Sequence, residues 1–124
     1  MADILIIDDE EMIRESLSTL FVREGFTVEV AINGDDGLAK FVASPARLVI
    51  VDIVMPEKEG VATIQELRRS DPDLGIIAIS GGGRRGNIQF LDVARKMGAD
   101  AALAKPFTRS QITGLVREML GARA

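Results

Sequence analysis

The sequence has 124 residues, a formal net charge of -4 at pH 7, and neither cysteine nor histidine. We expect a single domain over residues 1–124 that folds without disulfides, because a chain of this length buries about two thirds of the surface its unfolded form exposes. The composition excludes thiol chemistry and histidine-based catalysis or zinc binding, and the acidic balance opposes binding to nucleic acid or to an anionic membrane.

Short apolar segments alternate along the chain with segments of helical period. The chain begins with an apolar segment, which we predict to be a strand. The predicted strands cover residues 3–7, 27–31, 47–51, 75–79 and 101–104. Three of these strands are almost wholly aliphatic, which is typical of central strands covered on both faces. Three amphipathic stripes consist of Ile13, Leu17, Leu20 and Phe21, of Val61, Ile64 and Leu67, and of Ile112, Leu115, Val116, Met119 and Leu120. Residues 34–43 and 87–97 are weaker helical segments.

Signals at the helix ends agree with this order of elements. Gly25 and Gly98 lie where helices should end, and Thr108 followed by Gln111 is a capping-box pattern that opens the last helix. Alternating strands and helices with short connections imply parallel strands joined by right-handed crossovers. The predicted fold is therefore an α/β doubly wound (βα)5 sheet with helices on both faces, a three-layer sandwich. The alternation alone does not give the strand order.

The amino terminus reads Met-Ala-Asp before four apolar residues, which is too short and too acidic for a signal peptide. No apolar run approaches the length of a membrane span. We therefore expect a cytoplasmic protein, with a protein or small-molecule partner rather than a nucleic acid or a membrane.

Polar side chains follow directly on four of the predicted strands. They are Asp8 and Asp9, Asp52, Ser80, and Lys105 before Pro106. The carboxyl ends of parallel strands meet at one edge of the sheet, where open α/β sheets bind their ligands. Three carboxylates, a hydroxyl and an ammonium are therefore expected to converge. Taken singly, these residues are also consistent with a helix cap, a loop hydroxyl and a surface charge, but their occurrence together favours a functional site.

The carboxylates at this edge repel each other, so they need raised pKa values or a bound cation. An all-oxygen site with few carboxylates and room for water suits Mg²⁺ better than zinc or calcium. Asp8, Asp9 and Asp52 are the predicted ligands. The Lys105 ammonium can pair with the Asp52 carboxylate.

The motifs Asp8-Asp9, Asp52-Ile53-Val54-Met55-Pro56, Ser80 and Lys105-Pro106-Phe107 resemble, at these spacings, the receiver domain of bacterial two-component response regulators. The resemblance covers essentially the whole chain. It implies the flavodoxin-like strand order 2-1-3-4-5, a phosphoryl group accepted on Asp52, and the backbone carbonyl of Val54 as a further Mg²⁺ ligand. It also implies a cis peptide between Lys105 and Pro106. In such a domain the Lys105 ammonium would pair with the phosphoryl oxygens, and the Ser80 hydroxyl would donate a hydrogen bond to the phosphoryl group.

The same resemblance implies a phosphoacceptor signalling domain rather than an enzyme, with a histidine kinase or a histidine phosphotransfer protein as phosphoryl donor. Only three residues follow Gly121, so we expect a stand-alone receiver that binds a target or relays the phosphoryl group, unless the chain is a piece of a longer regulator. The family's usual contact surface corresponds to residues 87–120. Four basic residues make this surface positive: Arg95, Lys96, Arg109 and Arg117.

Two alternatives remain open on the sequence. Gly81–Gly86 matches the G-x-G-x-x-G pattern of a nucleotide-binding loop, although it follows the fourth strand instead of the first. A degenerate receiver that only mediates contacts is the other. One position departs from the family pattern: Ala102 stands where receivers usually carry an aromatic residue, so signalling would depend on another change, such as repacking of Phe107 or Phe90.

Overall fold

Strands and helices alternate along the chain in the computed structural model, which describes residues 2–53, 60–80 and 87–121 but not the side chains of residues 87–91. The strands are β1 (Ile4–Ile7), β2 (Val28–Ala31), β3 (Leu48–Asp52), β4 (Gly75–Ser80) and β5 (Ala101–Ala104). The helices are α1 (Glu11–Arg23), α2 (Gly34–Ala43), α3 (Gly60–Ser70), α4 (Asn87–Met97) and α5 (Arg109–Leu120). Each strand is followed by one helix, as the hydrophobic pattern predicts.

The strands form one parallel sheet in the order β2-β1-β3-β4-β5. This order confirms the (βα)5 doubly wound arrangement. The three aliphatic strands predicted to be central, β1, β3 and β4, are central in the sheet. Every residue of β1 and β3 is buried, whereas most residues of the edge strands β2 and β5 are partly exposed.

Successive residues of the central strands pack on opposite faces of the sheet, because side chains alternate along a strand. On one face, Ile4 and Ile6 pack in a cluster with Phe21 of α1 and Ile112 of α5. The other face has its own cluster, in which the strand residues are Leu5, Ile7, Val49, Val51, Ile76 and Ala78, and the helix residues include Phe41, Ile64, Leu67 and Ala94. Helices therefore cover both faces, and the three-layer sandwich is confirmed.

The helix boundaries follow the predicted signals. Gly25 and Gly98 have φ angles of 96° and 133°, a left-handed region that favours glycine, and each lies just after a helix. Thr108 and Gln111 form both hydrogen bonds of a capping box at the start of α5. Asn33 caps α2 by accepting a hydrogen bond from the Asp36 amide, a cap that the sequence analysis did not identify. The longest of the helices in the described ranges has 13 residues, and none there is long and apolar enough to cross a membrane.

Candidate functional site

The carboxyl edge of the sheet brings together polar groups from four strands. Asp8 follows β1, Asp52 ends β3, Ser80 ends β4, and Lys105 follows β5. Asp8, Asp52 and Ser80 are buried, with exposed fractions of 0%, 2% and 0%. The two carboxylates and the hydroxyl are therefore largely removed from water.

Lys105 is the centre of this group of charges. Its Nζ atom lies 3.0 Å from Asp8 Oδ2, 3.1 Å from Glu10 Oε1 and 3.4 Å from Asp52 Oδ2. Asp8 and Lys105 are 97 positions apart in the sequence, so only the folded sheet brings them together. One ammonium therefore balances three carboxylates, and these four groups leave an excess of negative charge.

Asp8 is held from both its backbone and its side chain. Its amide donates to the Ala31 carbonyl at 3.1 Å, which extends the pairing of β1 with β2 by one residue. Its Oδ1 atom accepts from the Glu10 amide at 2.9 Å, and its carbonyl accepts from the Arg14 guanidinium at 2.8 Å. The N-cap of α1 is Glu10, whose side chain makes no capping hydrogen bond. Asp8 is thus not the helix cap that its position also suggested.

Backbone pairing fixes the other strand ends. The Ile53 amide donates to the Ile79 carbonyl at 2.9 Å, and the Lys105 amide donates to the Ser80 carbonyl at 2.9 Å. The Lys105–Pro106 peptide bond is cis, as the resemblance implied.

Gly60, the first residue of α3, lies directly against the end of β3. A Cβ atom at Gly60 would approach Ile53 Cα to 2.2 Å and the Asp52 carbonyl oxygen to 2.3 Å. Both atoms belong to the backbone, so they cannot move aside as a flexible side chain can. Only glycine fits this position without shifting the backbone that carries Asp52.

Ser80 has a buried hydroxyl that lacks a hydrogen-bond partner among the described residues. Burying a hydroxyl in this way is unfavourable by about 1–3 kcal/mol, so such groups in folded proteins are uncommon and call for an explanation. Ser80 ends β4, adjacent in the sheet to Asp52 and to the strand that leads to Lys105. Its hydroxyl is therefore available to a ligand at the carboxyl edge.

The electrostatics of the site favour a bound cation. Burial raises the pKa of the Asp8 carboxyl above its ordinary value, and the opposing effects of the Glu10 amide and the Lys105 ammonium do not cancel that increase. Burial alone would lower the pKa of Lys105, but the attraction of Asp52 and Asp8 and the hydrogen bonds to Asp8 and Glu10 outweigh it and raise that pKa. Lys105 therefore stays charged, while ionisation of Asp8 is less favourable than that of an aspartate in water.

Carboxylate oxygens of Asp8, Glu10 and Asp52 lie within 4.8 Å of one another, close enough to hold one metal ion. Hard oxygen donors with a buried negative charge fit Mg²⁺. Asp9 is exposed and does not belong to this group of three, so its role as a ligand stays a prediction. The Val54 carbonyl lies outside the described residues, and so do the Gly81–Gly86 loop and the Phe90 side chain.

Sequence reasoning missed Glu10, Arg14 and Gly60. Glu10 is the third acid of an acidic run and lies two positions after Asp8, which is the one local signal that could have indicated it. Arg14 is a partly buried residue in the first turn of α1, and the sequence pattern alone does not connect it with the site. Nothing in the sequence around Gly60 distinguishes it from an ordinary loop glycine.

The predicted contact surface at residues 87–120 carries less free positive charge than its sequence suggests. Arg117 forms an ion pair with Glu24 of α1, and Lys96 pairs with Asp92 at 3.5 Å one turn earlier in α4. Ala102 is partly buried against the cluster on the α2, α3 and α4 face, and Phe107 is partly buried on the opposite face. The aromatic position of the family pattern is thus filled by a small side chain within β5.

Known proteins similar to this chain were found by sequence and by structure. Residues 4–117 match the family model described as the response regulator receiver domain. A probable transcriptional regulator, ycf27, of Cyanophora paradoxa is 32% identical over 117 residues, which cover 94% of this chain and 47% of the relative. The CpxR homolog of Haemophilus influenzae is 32% identical over 120 residues, covering 97% and 51%. The chain spans about half the length of the curated relatives it matches.

Among solved structures, the receiver domain of NtrX from Brucella abortus has a TM-score of 0.89 and 30% identity, covering 98% of this chain and 100% of that one. A CheY-like receiver domain protein from Methanospirillum hungatei has a TM-score of 0.85 and 29% identity, with 94% and 91% covered. Both superpose over nearly the whole described fold.

Proposed function

Because this chain belongs to the response regulator receiver domain family, whose members signal in two-component systems, we propose that Asp52 accepts a phosphoryl group and that Asp8 and Asp9 help to bind Mg²⁺ for this step. The donor in this proposal is a phosphohistidine on a histidine kinase or a histidine phosphotransfer protein. The Val54 carbonyl is a further proposed ligand of the ion. Signalling domains of this family act on other proteins through their phosphorylated form.

One observation carries the proposal. The buried Asp52 carboxylate lies beside the Lys105 ammonium, and the Ser80 hydroxyl at the end of the adjacent strand is buried without a partner among the described residues. A cation beside a carboxylate and an unused donor at the end of the adjacent strand are what a new group of oxygen atoms on that carboxylate would require. A site that only stabilised the fold would satisfy the hydroxyl.

The proposed reaction uses these groups as follows. An Oδ atom of Asp52 forms a bond to phosphorus while the bond from phosphorus to the donor breaks, and the electron pair of that bond leaves with the donor's imidazole nitrogen. Bound Mg²⁺ supplies positive charge that offsets the charge on the transferred group and the carboxylates. Lys105 then pairs with a phosphoryl oxygen, and the Ser80 hydroxyl donates a hydrogen bond to another.

Charge balance explains why an ion is needed. With Asp8, Glu10 and Asp52 ionised, a single ammonium leaves the site negative, and a phosphoryl donor that brings further negative charge is repelled. A divalent cation reverses this imbalance. The raised pKa of Asp8, caused by its burial, agrees with a carboxylate that is better satisfied by a metal than by its present neighbours.

The proposed output is contact with a target protein through the surface of residues 87–120, or transfer of the phosphoryl group to a second histidine-containing protein. The exposed basic residues Arg95 and Arg109 lie on this surface. Because the chain spans about half of its curated relatives, the activity of the whole protein belongs to this proposal and not to the family assignment.

The test is the intact mass of the protein after incubation with Mg²⁺ and acetyl phosphate, a small donor that requires no kinase. We expect a gain of one phosphoryl group that depends on Mg²⁺ and is absent in Asp52→Asn. Asp73→Asn is the matched control, because Asp73 is an exposed carboxylate next to the start of β4, at the opposite edge of the sheet. An equal gain in Asp52→Asn would refute the assignment of Asp52, and no gain in the unaltered protein would favour a domain that only mediates contacts.

A further inference from the structure

Glu10 has no assigned part in the reaction proposed above, yet it is one of the three carboxylates that contact Lys105. It is the N-cap residue of α1, and its side chain forms no bond with the helix that it caps. Instead, Glu10 Oε1 lies 3.1 Å from Lys105 Nζ, across 95 positions of sequence. The side chain therefore extends over the edge of the sheet toward the ammonium.

The three carboxylates differ in what else they can do. Asp8 uses Oδ1 for the Glu10 amide and Oδ2 for the Lys105 ammonium, so each of its oxygens already accepts a hydrogen bond. The hydrogen bond from the Glu10 amide lies at the start of α1 and cannot be broken without moving the helix. The Lys105 ammonium is on a flexible side chain, so it is the partner that is displaced when a metal ion binds Asp8.

Glu10 offers the displaced ammonium a place to remain. Its side chain is 58% exposed, whereas those of Asp8 and Asp52 are buried, so it can follow the ammonium at little cost in packing. An ammonium that left all three carboxylates would move away from the position where the phosphoryl group forms. An ammonium kept on Glu10 stays beside Asp52, whose Oδ2 atom is 3.4 Å away in the present arrangement.

We infer that Glu10 is a positioning residue, which holds the Lys105 ammonium beside Asp52 when Mg²⁺ displaces it from Asp8. The inference rests on the proposed function, since it concerns how the site exchanges an ammonium for a metal ion. Glu10 acts through Lys105 and is not itself a ligand of the ion in the occupied site. Its contribution to Mg²⁺ binding therefore depends on the presence of the ammonium.

The experiment is a double-mutant cycle with Mg²⁺ affinity measured by calorimetry, since the chain has neither Trp nor Tyr to report binding by fluorescence. We expect Glu10→Gln to weaken Mg²⁺ binding by about 2- to 5-fold, the range for an ion pair, since the Glu10 carboxylate is largely exposed. In the Lys105→Met background, we expect the same substitution to leave the affinity unchanged. Glu11→Gln is the matched control, because it removes an equal charge from the next residue, which is also exposed.

Three results would overturn the inference. A loss of affinity that persists in the Lys105→Met background would make Glu10 a ligand of the ion. An unchanged affinity in Glu10→Gln, or an equal loss in Glu11→Gln, would remove any particular role for Glu10. None of these results bears on phosphorylation of the unaltered protein by acetyl phosphate, which tests the proposed function separately.

A second measurement serves if Lys105→Met does not fold. The ammonium of Lys105 can be followed by nitrogen-15 NMR in the presence of saturating Mg²⁺, because a held ammonium exchanges its protons slowly. We expect its signal in the unaltered protein and in Glu11→Gln, and its loss to exchange in Glu10→Gln. An unchanged signal in Glu10→Gln would refute the inference.

Discussion

Lys105→Met should destabilise the metal-free protein and should do so much less when Mg²⁺ is present. The Lys105 side chain is 11% exposed, and its partners Asp8 and Asp52 are 0% and 3% exposed, so the pair is buried and not a surface pair. Removing one partner of a buried ion pair lowers the free energy of unfolding by about 3–5 kcal/mol. The lower end applies here, because the raised pKa of Asp8 makes it easier for that carboxyl to take up a proton.

The expected loss in free energy of unfolding corresponds to a change in Tm that depends on the chain length. With an unfolding entropy of about 2.1 cal/mol/K per residue, each kcal/mol changes the Tm of 124 residues by about 4 °C. A loss of about 3 kcal/mol therefore lowers the Tm by about 12 °C. Saturating Mg²⁺ binds the variant without competition from an ammonium, so we expect it to raise the Tm of the variant more than that of the unaltered protein.

The assay is thermal unfolding with and without Mg²⁺, followed by circular dichroism. Lys96→Met is the matched control, because Lys96 is 73% exposed and pairs with an exposed Asp92 one turn away. Its Tm should change by less than about 4 °C, since an exposed pair contributes at most about 1 kcal/mol. A Tm for Lys105→Met that equals or exceeds that of the unaltered protein without Mg²⁺ would refute the reasoning, as would an equal deficit with and without the ion.

Other predictions concern residues around the same site. Asp8→Asn should raise the Tm of the metal-free protein at neutral pH. The pKa of Asp8 is higher in the folded than in the unfolded protein, so stability falls as the pH rises from the unfolded pKa through the folded one, and Asn cannot ionise. A lower Tm, or a response to Mg²⁺ as large as before, would contradict this. Ser80→Ala should leave stability unchanged or increased, since it removes a buried hydroxyl that has no hydrogen-bond partner among the described residues. The same substitution should slow phosphorylation by acetyl phosphate. A stability loss above about 1 kcal/mol would show that the hydroxyl does form a hydrogen bond. Gly60→Ala should destabilise by at least about 1–3 kcal/mol in denaturant unfolding, because its Cβ meets the backbone of Asp52 and Ile53. Gly114→Ala is its control, since a Cβ there meets nothing within 4 Å and the helix should gain about 1 kcal/mol; equal effects of the two substitutions would refute the steric argument.

The pattern of apolar residues predicted every strand to within one residue, and the two helical segments predicted with bounds, 34–43 and 87–97, coincide with α2 and α4. The other three helices were predicted from amphipathic stripes, which lie within α1, α3 and α5. The predicted third and fourth strands end at 51 and 79, whereas the observed strands include Asp52 and Ser80. The difference arises because pairing continues beyond the apolar run, through the Ile53 amide and the Ser80 carbonyl. Because Asp52 and Ser80 have polar side chains, the hydrophobic pattern does not show that the strands continue through them.

Long-range relations were less accessible to sequence reasoning. The strand order came from the family resemblance, since alternating strands and helices fit several orders equally well. Only its place in the acidic run could have indicated Glu10, because its partner lies 95 positions away and its own exposure gives no periodic signal. The need for glycine at Gly60 likewise depends on a backbone brought close by folding.

The order in which the charges appear along the chain has a consequence during synthesis. Asp8 and Asp52 lie in the first half of the sequence, and Lys105 follows them by 97 and 53 positions. A nascent chain that stops before β5 therefore carries the carboxylates without their ammonium and without the last strand of the sheet. In the proposed reaction, an unfinished chain therefore lacks the ammonium that would pair with the transferred phosphoryl group until β5 and the residue after it have been made.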